Sequence, residues 1–347
     1  MDWSEYLGHQ RQRKWFANAI ANNKLASTFL IVGPHGVGKR TFALLFAKSL
    51  LCTETDPKEL SFCDRCETCV QIQSGTHPDY LYLARESQSS LVTMEQLVGS
   101  DESRMREGFC YELRMRPYSG RRKIGVIDDA DTLAEATGNA LLKTLEEPPP
   151  GAVIFLIGTS EKKQISTIRS RSQIVRFSPL ALGDVEQLIL KHNYAESAEQ
   201  ARQLAEQAQG SVQLARELSD PNLIEFRSQI RTLLSQRPME FIAFTKSVID
   251  HLNHATAEGQ ARRDRLVWCM DEVIEAIRNS LWNQLGAVPQ GIGDPNRLFA
   301  PFKNLPVRNL VKLIELTQET RGNIGRFIAP AALLEAWTAN FIRLARS

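Results

Sequence analysis

Short apolar runs alternate with amphipathic stretches through the first half of the chain, and this rhythm predicts strands spaced by helices. Thr28–Val32 is apolar after its first residue and stops at Gly33-Pro34, as a buried strand does; 79–84, 123–127, Val153–Gly158 and 173–177 are four further strands. Residues 40–51 have apolar side chains on most sides, the pattern of a helix laid against a sheet. Residues 94–115 are richly charged and read as one helix. In 133–146, Leu133, Thr137, Ala140, Leu141, Thr144 and Leu145 share one helical face, and Pro148-Pro149-Pro150 ends the helix. Strands spaced by helices predict a mostly parallel α/β sheet.

After Ser178-Pro179 the pattern changes and no further strand is expected. Residues 183–218 read as two or three short helices with a break at Gly210, and Asp184 and Asp220 sit where helix caps belong. From Pro221 the helices lengthen. Leu266, Val267, Met270, Val273, Ile274, Ile277 and Leu281 recur at helical spacing, 306–319 and 330–346 are two more helices, and a Gly/Pro-rich loop spans 286–295. Trp268, Trp282 and Trp337 fall on these helices as core contacts. The expected plan is an α/β domain (1–178), a small helical domain (179–220) and a helical domain (221–347).

Composition narrows the classes. A chain of 347 residues with 43% hydrophobic and 24% charged residues is globular, not disordered or fibrous. The 42 Lys+Arg against 40 Asp+Glu leave a net charge of only +2, which excludes a broadly basic nucleic-acid coat. Arg11, Arg13 and Lys14, and Arg121-Arg122-Lys123, are small basic groups that read as solvated faces before phosphate contacts. Without a signal-like start or a run of about 18 apolar residues, the expectation is a soluble, cytoplasmic protein with no membrane contact.

Gly33-Pro34-His35-Gly36-Val37-Gly38-Lys39 follows a predicted strand and opens a predicted helix, the context a phosphate-binding P-loop requires. Glycines let backbone N–H groups and the helix N-terminus face phosphates, and Lys39 would reach the outer ones. The residue after the lysine should carry the hydroxyl that holds Mg²⁺; here it is Arg40, with Thr41 one place late, a rotation of about 100° on a helix. Two readings follow: a loop occupied by nucleotide, or a retained loop fold that binds it weakly or not at all. Ile124–Ile127 followed by Asp128-Asp129 has the form of a Walker B strand. Asp128 would hold Mg²⁺ through water, and Asp129 is one methylene shorter than the Glu that polarises an attacking water.

Cys52, Cys63, Cys66 and Cys69 form a cluster in a chain expected to be reduced, so metal is favoured over disulfides. Four thiolates suit tetrahedral structural zinc; an iron–sulfur site and unliganded thiols are the alternatives. His77 reads as a loop residue, and Cys110 and Cys269 as core cysteines.

The run 139–149, NALLKTLEEPP, follows the Walker B strand, and Ser170-Arg171-Ser172 comes later. With the P-loop, these resemble the AAA+ clamp-loader subunits of bacterial DNA polymerase III, over residues 3 to about 218. The resemblance implies an AAA+ P-loop domain, a helical lid and an all-α collar that joins subunits. It favours zinc for the cysteine module at 52–69. It also implies partners: motor (gamma/tau) and delta subunits, and, through the complex, the sliding clamp and primed DNA. In that family the motor type has intact ATPase motifs, whereas the delta-prime type is degenerate at its ATP site and lends an arginine to a neighbour. Arg40, Asp129, and Gln213 where the motor type keeps a sensor arginine favour the second type. Arg171 is then an arginine finger acting in trans, and independent ATPase activity is not expected. An active motor subunit is the alternative reading, and a zinc-stabilised nucleotide-sensing scaffold a third.

Overall fold

The computed structural model describes residues 2–84, 91–100, 102–104, 106–236, 241–254, 259–286, 301–324 and 329–346. The helix α1 (Gln10–Ala21) precedes strand β1 (Thr28–Val32), which leads through the glycine-rich loop into α2 (Lys39–Leu51). There follow α3 (Glu67–Ser74), β2 (Tyr80–Leu83), α4 (Met94–Val98), α5 (Phe109–Arg114), β3 (Ile124–Ile127), α6 (Glu135–Glu146), β4 (Val153–Gly158), α7 (Ser166–Ser170) and β5 (Gln173–Arg176). The expected single helix over 94–115 is two short ones. Gly99 and Gly108, with φ of 87° and 86°, take backbone conformations that end α4 and precede α5.

Among the described residues the five strands form one parallel sheet in the order β2-β3-β4-β1-β5. Every residue of β1, β3 and β4 is buried, whereas the edge strands β2 and β5 expose some. That is why the central strands read as unbroken apolar runs. Alternate residues feed two cores. Phe29, Ile31, Phe155 and Ile157 pack with Phe16 of α1 and Phe42 and Phe46 of α2. Leu30, Val32, Ile154 and Leu156 pack with Leu97, Leu113, Leu141 and Ile168 on the opposite face. The result is the three-layered AAA+ α/β fold.

The loop 116–122 is pinned from beneath. Asp79, fully buried, accepts hydrogen bonds from the Tyr118 and Ser119 backbone N–H groups (2.7 and 2.8 Å) and the Ser119 hydroxyl (2.7 Å). Lys123 is buried rather than solvated. Its ammonium donates to the Pro78 carbonyl at 3.0 Å and lies 3.8 Å from Asp79.

α8 (Leu182–Lys191), α9 (Ala198–Gln207) and α10 (Val212–Ser219) enclose a small core of Val185, Leu188, Ile189, Leu204 and Ala205. Ala181, not Asp184, occupies the cap position of α8, and Asp184 lies in the first turn. The described chain up to Ser219 forms one compact unit and the chain from Asp220 a second. The second unit contains α11 (Pro221–Ser235), α12 (Phe241–His254), α13 (Gly259–Leu285), α14 (Val307–Asn323) and α15 (Pro330–Arg346). Asp220 caps α11, its carboxylate accepting the Asn222 N–H at 2.9 Å. Trp337, Phe341, Phe244, Phe226 and Leu313 lie in its core. The expected loop at 286–295 lies outside the described residues beyond Gly286. No described helix is long and apolar enough to cross a membrane.

Two predictions concern the first unit. Phe155, fully buried between Phe29 and Phe46 at centroid distances of 5.5 and 5.4 Å, is expected to cost about 3–5 kcal/mol when changed to Ala, read from the urea unfolding curve of the full chain. Burial disfavours ionised Asp79, but donation from Ser119 and Tyr118 and the charge of Lys123 hold its pKa below the ordinary carboxylate value. Its contribution is therefore present above the unfolded-state value of about 4 and is lost as pH falls through the lower folded value. Acid titration of stability should lose this component in Asp79→Asn.

Candidate functional site

The loop 33–38 leaves the C-terminal end of a buried central strand and enters α2, as the motif requires. Gly38 stands before α2 with φ 94°, a conformation costly for residues with a Cβ. Gly36, with φ 71°, has a second constraint: a Cβ there would lie 2.2 Å from Ser211 Oγ and 2.6 Å from the Gln213 Cβ. The start of α10 thus rests directly on the loop, and the Val212 N–H donates to the Gly36 carbonyl at 3.0 Å. Gln213, at the position expected to lack a sensor arginine, donates to Glu217 at 3.0 Å.

Other loop carbonyls also have protein donors. The Tyr6 hydroxyl donates to Gly38 O at 3.0 Å, and His9 Nε2 reaches Val37 O at 2.9 Å. Because a carbonyl only accepts, this ring nitrogen carries the proton, and burial holds His9 below its ordinary pKa. Lys39 is 7% exposed. Its ammonium turns into the loop and donates to Gly33 O and Pro34 O at 2.6 and 2.5 Å, and burial lowers its pKa. Tyr6 and His9 carry no motif; only their positions in the fold mark them.

Beside the loop, α2 and the Walker B strand meet. Arg40 Nε donates to Asp128 Oδ2 at 2.5 Å. The Tyr82 hydroxyl donates to the same oxygen at 2.8 Å, and the Asp129 N–H to the other at 3.0 Å. The Arg40 guanidinium lies over the Tyr82 ring, 5.4 Å from its centroid. Tyr82 went unnoticed in the sequence, although its place on β2 puts it beside the end of β3. Asp129 takes the left-handed conformation, φ 54° and ψ 38°, ahead of a short 3₁₀ turn at Ala130–Thr132. Asp131 accepts from the Thr159 N–H at 2.6 Å and from the Thr159 hydroxyl and Gln164 side chain, so the end of β4 is tied to the end of β3. A cavity of about 530 Å³ opens nearby, lined by Gly33, Thr159, Lys162, Arg176 and Phe177 among others.

Arg171 follows α7 directly. Its Nε and Nη2 lie 2.9 and 2.6 Å from Glu146 Oε1, and Nη1 donates to Thr167 O and Ser170 Oγ, each at 3.1 Å. Glu146 belongs to the TLEEPP run, so the two most distinctive sequence segments meet in one ion pair.

Cys52 ends α2, Cys66 caps α3 and Cys69 lies in its first turn. The four sulfurs of Cys52, Cys63, Cys66 and Cys69 lie within 4.8 Å of one another, a group able to hold a metal ion. Cys52 Sγ is 3.7 Å from Cys63 Sγ and 3.9 Å from Cys66 Sγ. Those separations match the edge of about 3.8 Å that four sulfurs make around a tetrahedral ion at 2.3 Å. Burial opposes ionisation of Cys66, but the Cys69 N–H, Thr53 and neighbouring thiols bring its pKa down to about 6. Buried Lys48 of α2 pairs with Asp64 inside the module, and Arg121 donates to Cys52 O at 2.5 Å. His77 lies outside this group, and its Nδ1 accepts the Asp79 N–H at 3.0 Å. Cys110 and Cys269 are buried free cysteines.

Fold and loop together define an AAA+ P-loop protein. The sequence profile of the family described as DNA polymerase III, delta subunit, matches residues 8–181, and the chain belongs to this family. Among its relatives are DNA polymerase III subunit delta' of Bacillus subtilis, 31% identical over 59% of this chain and 58% of the relative, and subunit delta' of Pseudomonas aeruginosa, 32% identical over 59% of each. DNA polymerase III subunit gamma/tau of Mycoplasma genitalium is 28% identical over 61% of this chain and 34% of its own length. The chain thus spans under two thirds of each, and it is delta'-like within the clamp-loader subunits.

Elemental analysis of the purified chain should find about one metal ion per chain, as four thiolates hold one tetrahedral ion. Cys63→Ser should lose it, and chelation should lower the melting temperature of the wild type but not of the variant.

Proposed function

We propose that this chain is the non-motor, delta-prime-like subunit of the DNA polymerase III clamp loader, helping to load the sliding clamp onto primed DNA. Its site is not an independent ATPase. Arg171 acts instead on ATP held by an adjacent motor subunit, where a guanidinium stabilises charge on the transferred phosphoryl group. The single observation carrying the non-motor reading is Arg40 on Asp128, an arginine on the acid that a working site needs for its metal.

The division into a P-loop domain (1–178), lid (179–220) and collar (221–347) belongs to this reading, with the collar joining gamma/tau and delta partners. The match to both delta' and gamma/tau relatives supports complex membership, and a cytoplasmic location goes with it. Zinc is the proposed ion of the cysteine module: the sulfurs are too close together to enclose an iron–sulfur cluster, and a closed set of four thiolates is structural. There it would fasten the 53–69 segment to the end of α2.

Glu146 orients Arg171 across the outside of α7. A neighbour's phosphate competes for the same donors, so Glu146 holds the guanidinium until the adjoining site is filled.

The test is ATP hydrolysis by a loader reconstituted with motor and delta subunits, clamp and primed DNA. Arg171→Ala should slow the completed site by about 10³-fold or more, leaving only turnover at the other sites, while assembly is unchanged. Unchanged hydrolysis rejects the trans role. Turnover by this chain alone, abolished by Lys39→Ala, favours the motor reading.

A further inference from the structure

In a P-loop site the divalent cation has two protein contacts, a hydroxyl directly after the lysine and an acid at the end of the Walker B strand. The residues present here do not fit that ion. Position 40 offers a cation instead of a hydroxyl, and Thr41 is turned away by about 100° around α2. Asp128 is nearly enclosed, its side chain 9% exposed, and both its oxygens already accept hydrogen bonds: Oδ2 from Arg40 and Tyr82, Oδ1 from the Asp129 N–H.

We propose that the Arg40 guanidinium takes the place of the divalent cation, so that this loop excludes Mg²⁺ and any phosphate ligand it meets is met without a metal. The inference rests on reading 33–41 and Asp128 as a P-loop and Walker B pair, and is independent of the role of Arg171.

Several features suit arginine to this place. Its charge neutralises Asp128, as the metal would. Its planar head stacks on Tyr82, which a lysine ammonium would do less well. The hydroxyl of the same tyrosine donates to the shared carboxylate oxygen, so α2, β2 and β3 are joined at one point. A divalent ion would have to break both contacts and settle against a like charge. The facing charges agree: against the cost of its partial burial, Asp128 and then Asp129 favour the charged guanidinium. Lys39, the other cation of the loop, is engaged with Gly33 and Pro34. The 64% exposure of the Arg40 side chain means that replacing it removes a surface group and no core packing.

The test measures binding of a fluorescent ADP analogue to the full chain in EDTA and in Mg²⁺, with Mn²⁺ replacing Mg²⁺ to count bound ions by electron paramagnetic resonance. The wild type should show less than about a twofold effect of metal, including the case where it binds no ADP in either buffer, while Arg40→Thr and Arg40→Ser gain about tenfold or more in Mg²⁺ and bind Mn²⁺ with the nucleotide. Adding Asp128→Asn should remove that gain. Wild-type binding that tightens about threefold or more with Mg²⁺ overturns the proposal, and so do two folded variants, verified by circular dichroism, with no metal dependence. Neither result bears on whether Arg171 serves a neighbour, which the reconstituted loader tests separately.

Discussion

The depth at which β1 is buried governs the rest of this unit. With β4 on one side and β5 on the other, Val32 lies in register with Gly158 and with Arg176. Three segments therefore emerge side by side at the same end of the sheet: the glycine-rich loop, the 159–164 turn and 177–179. This is where open parallel sheets place ligands, outside the carboxyl ends of their strands. The sheet also positions the acids, because β3 ends next to β4 and hands Asp128 toward α2. The fold thus supplies the geometry of a nucleotide site whether or not the chemistry of one is retained.

What is retained is a joint. The glycine-rich loop holds the N-terminal segment through Tyr6 and His9, its own lysine through Gly33 and Pro34, and the start of α10 through Val212. Its glycines serve close packing at Gly36 as much as any ligand. A loop so engaged gives the start of α10 a fixed place beside the sheet.

Much of this was legible in the sequence. The central strands were, because burial on both faces leaves no polar position to confuse the pattern. The P-loop and the cysteine module were, because their spacing is local. Residues 94–115 misled because charge on a helix-like run outweighed two glycines whose positive φ divides it. The partners within the site were hidden for a different reason. Arg40 and Asp128 are 88 residues apart, Tyr82 and Asp128 46, and Arg171 and Glu146 25. Motifs announced some members of these pairs, but strand order decides who meets whom, and Tyr82, Tyr6, His9 and Glu146 drew no notice on their own. Lys123 and Arg121 show the converse: a basic triplet that looks like solvated surface is largely spent on backbone carbonyls beneath it.

The register of β1 also sets the order in which the chain is able to fold. Thr28 waits for Ile154, whereas the cysteine module is complete once Cys69 has been made. During synthesis this buried central strand therefore exists for more than a hundred residues without its neighbours, and closing so long a loop is slow. Until then Phe29, Leu30 and Ile31 are open to mispairing. The α2–α3 segment, packed against the same core through Leu60 and Ile72, offers Phe29 and Ile31 their first native cover.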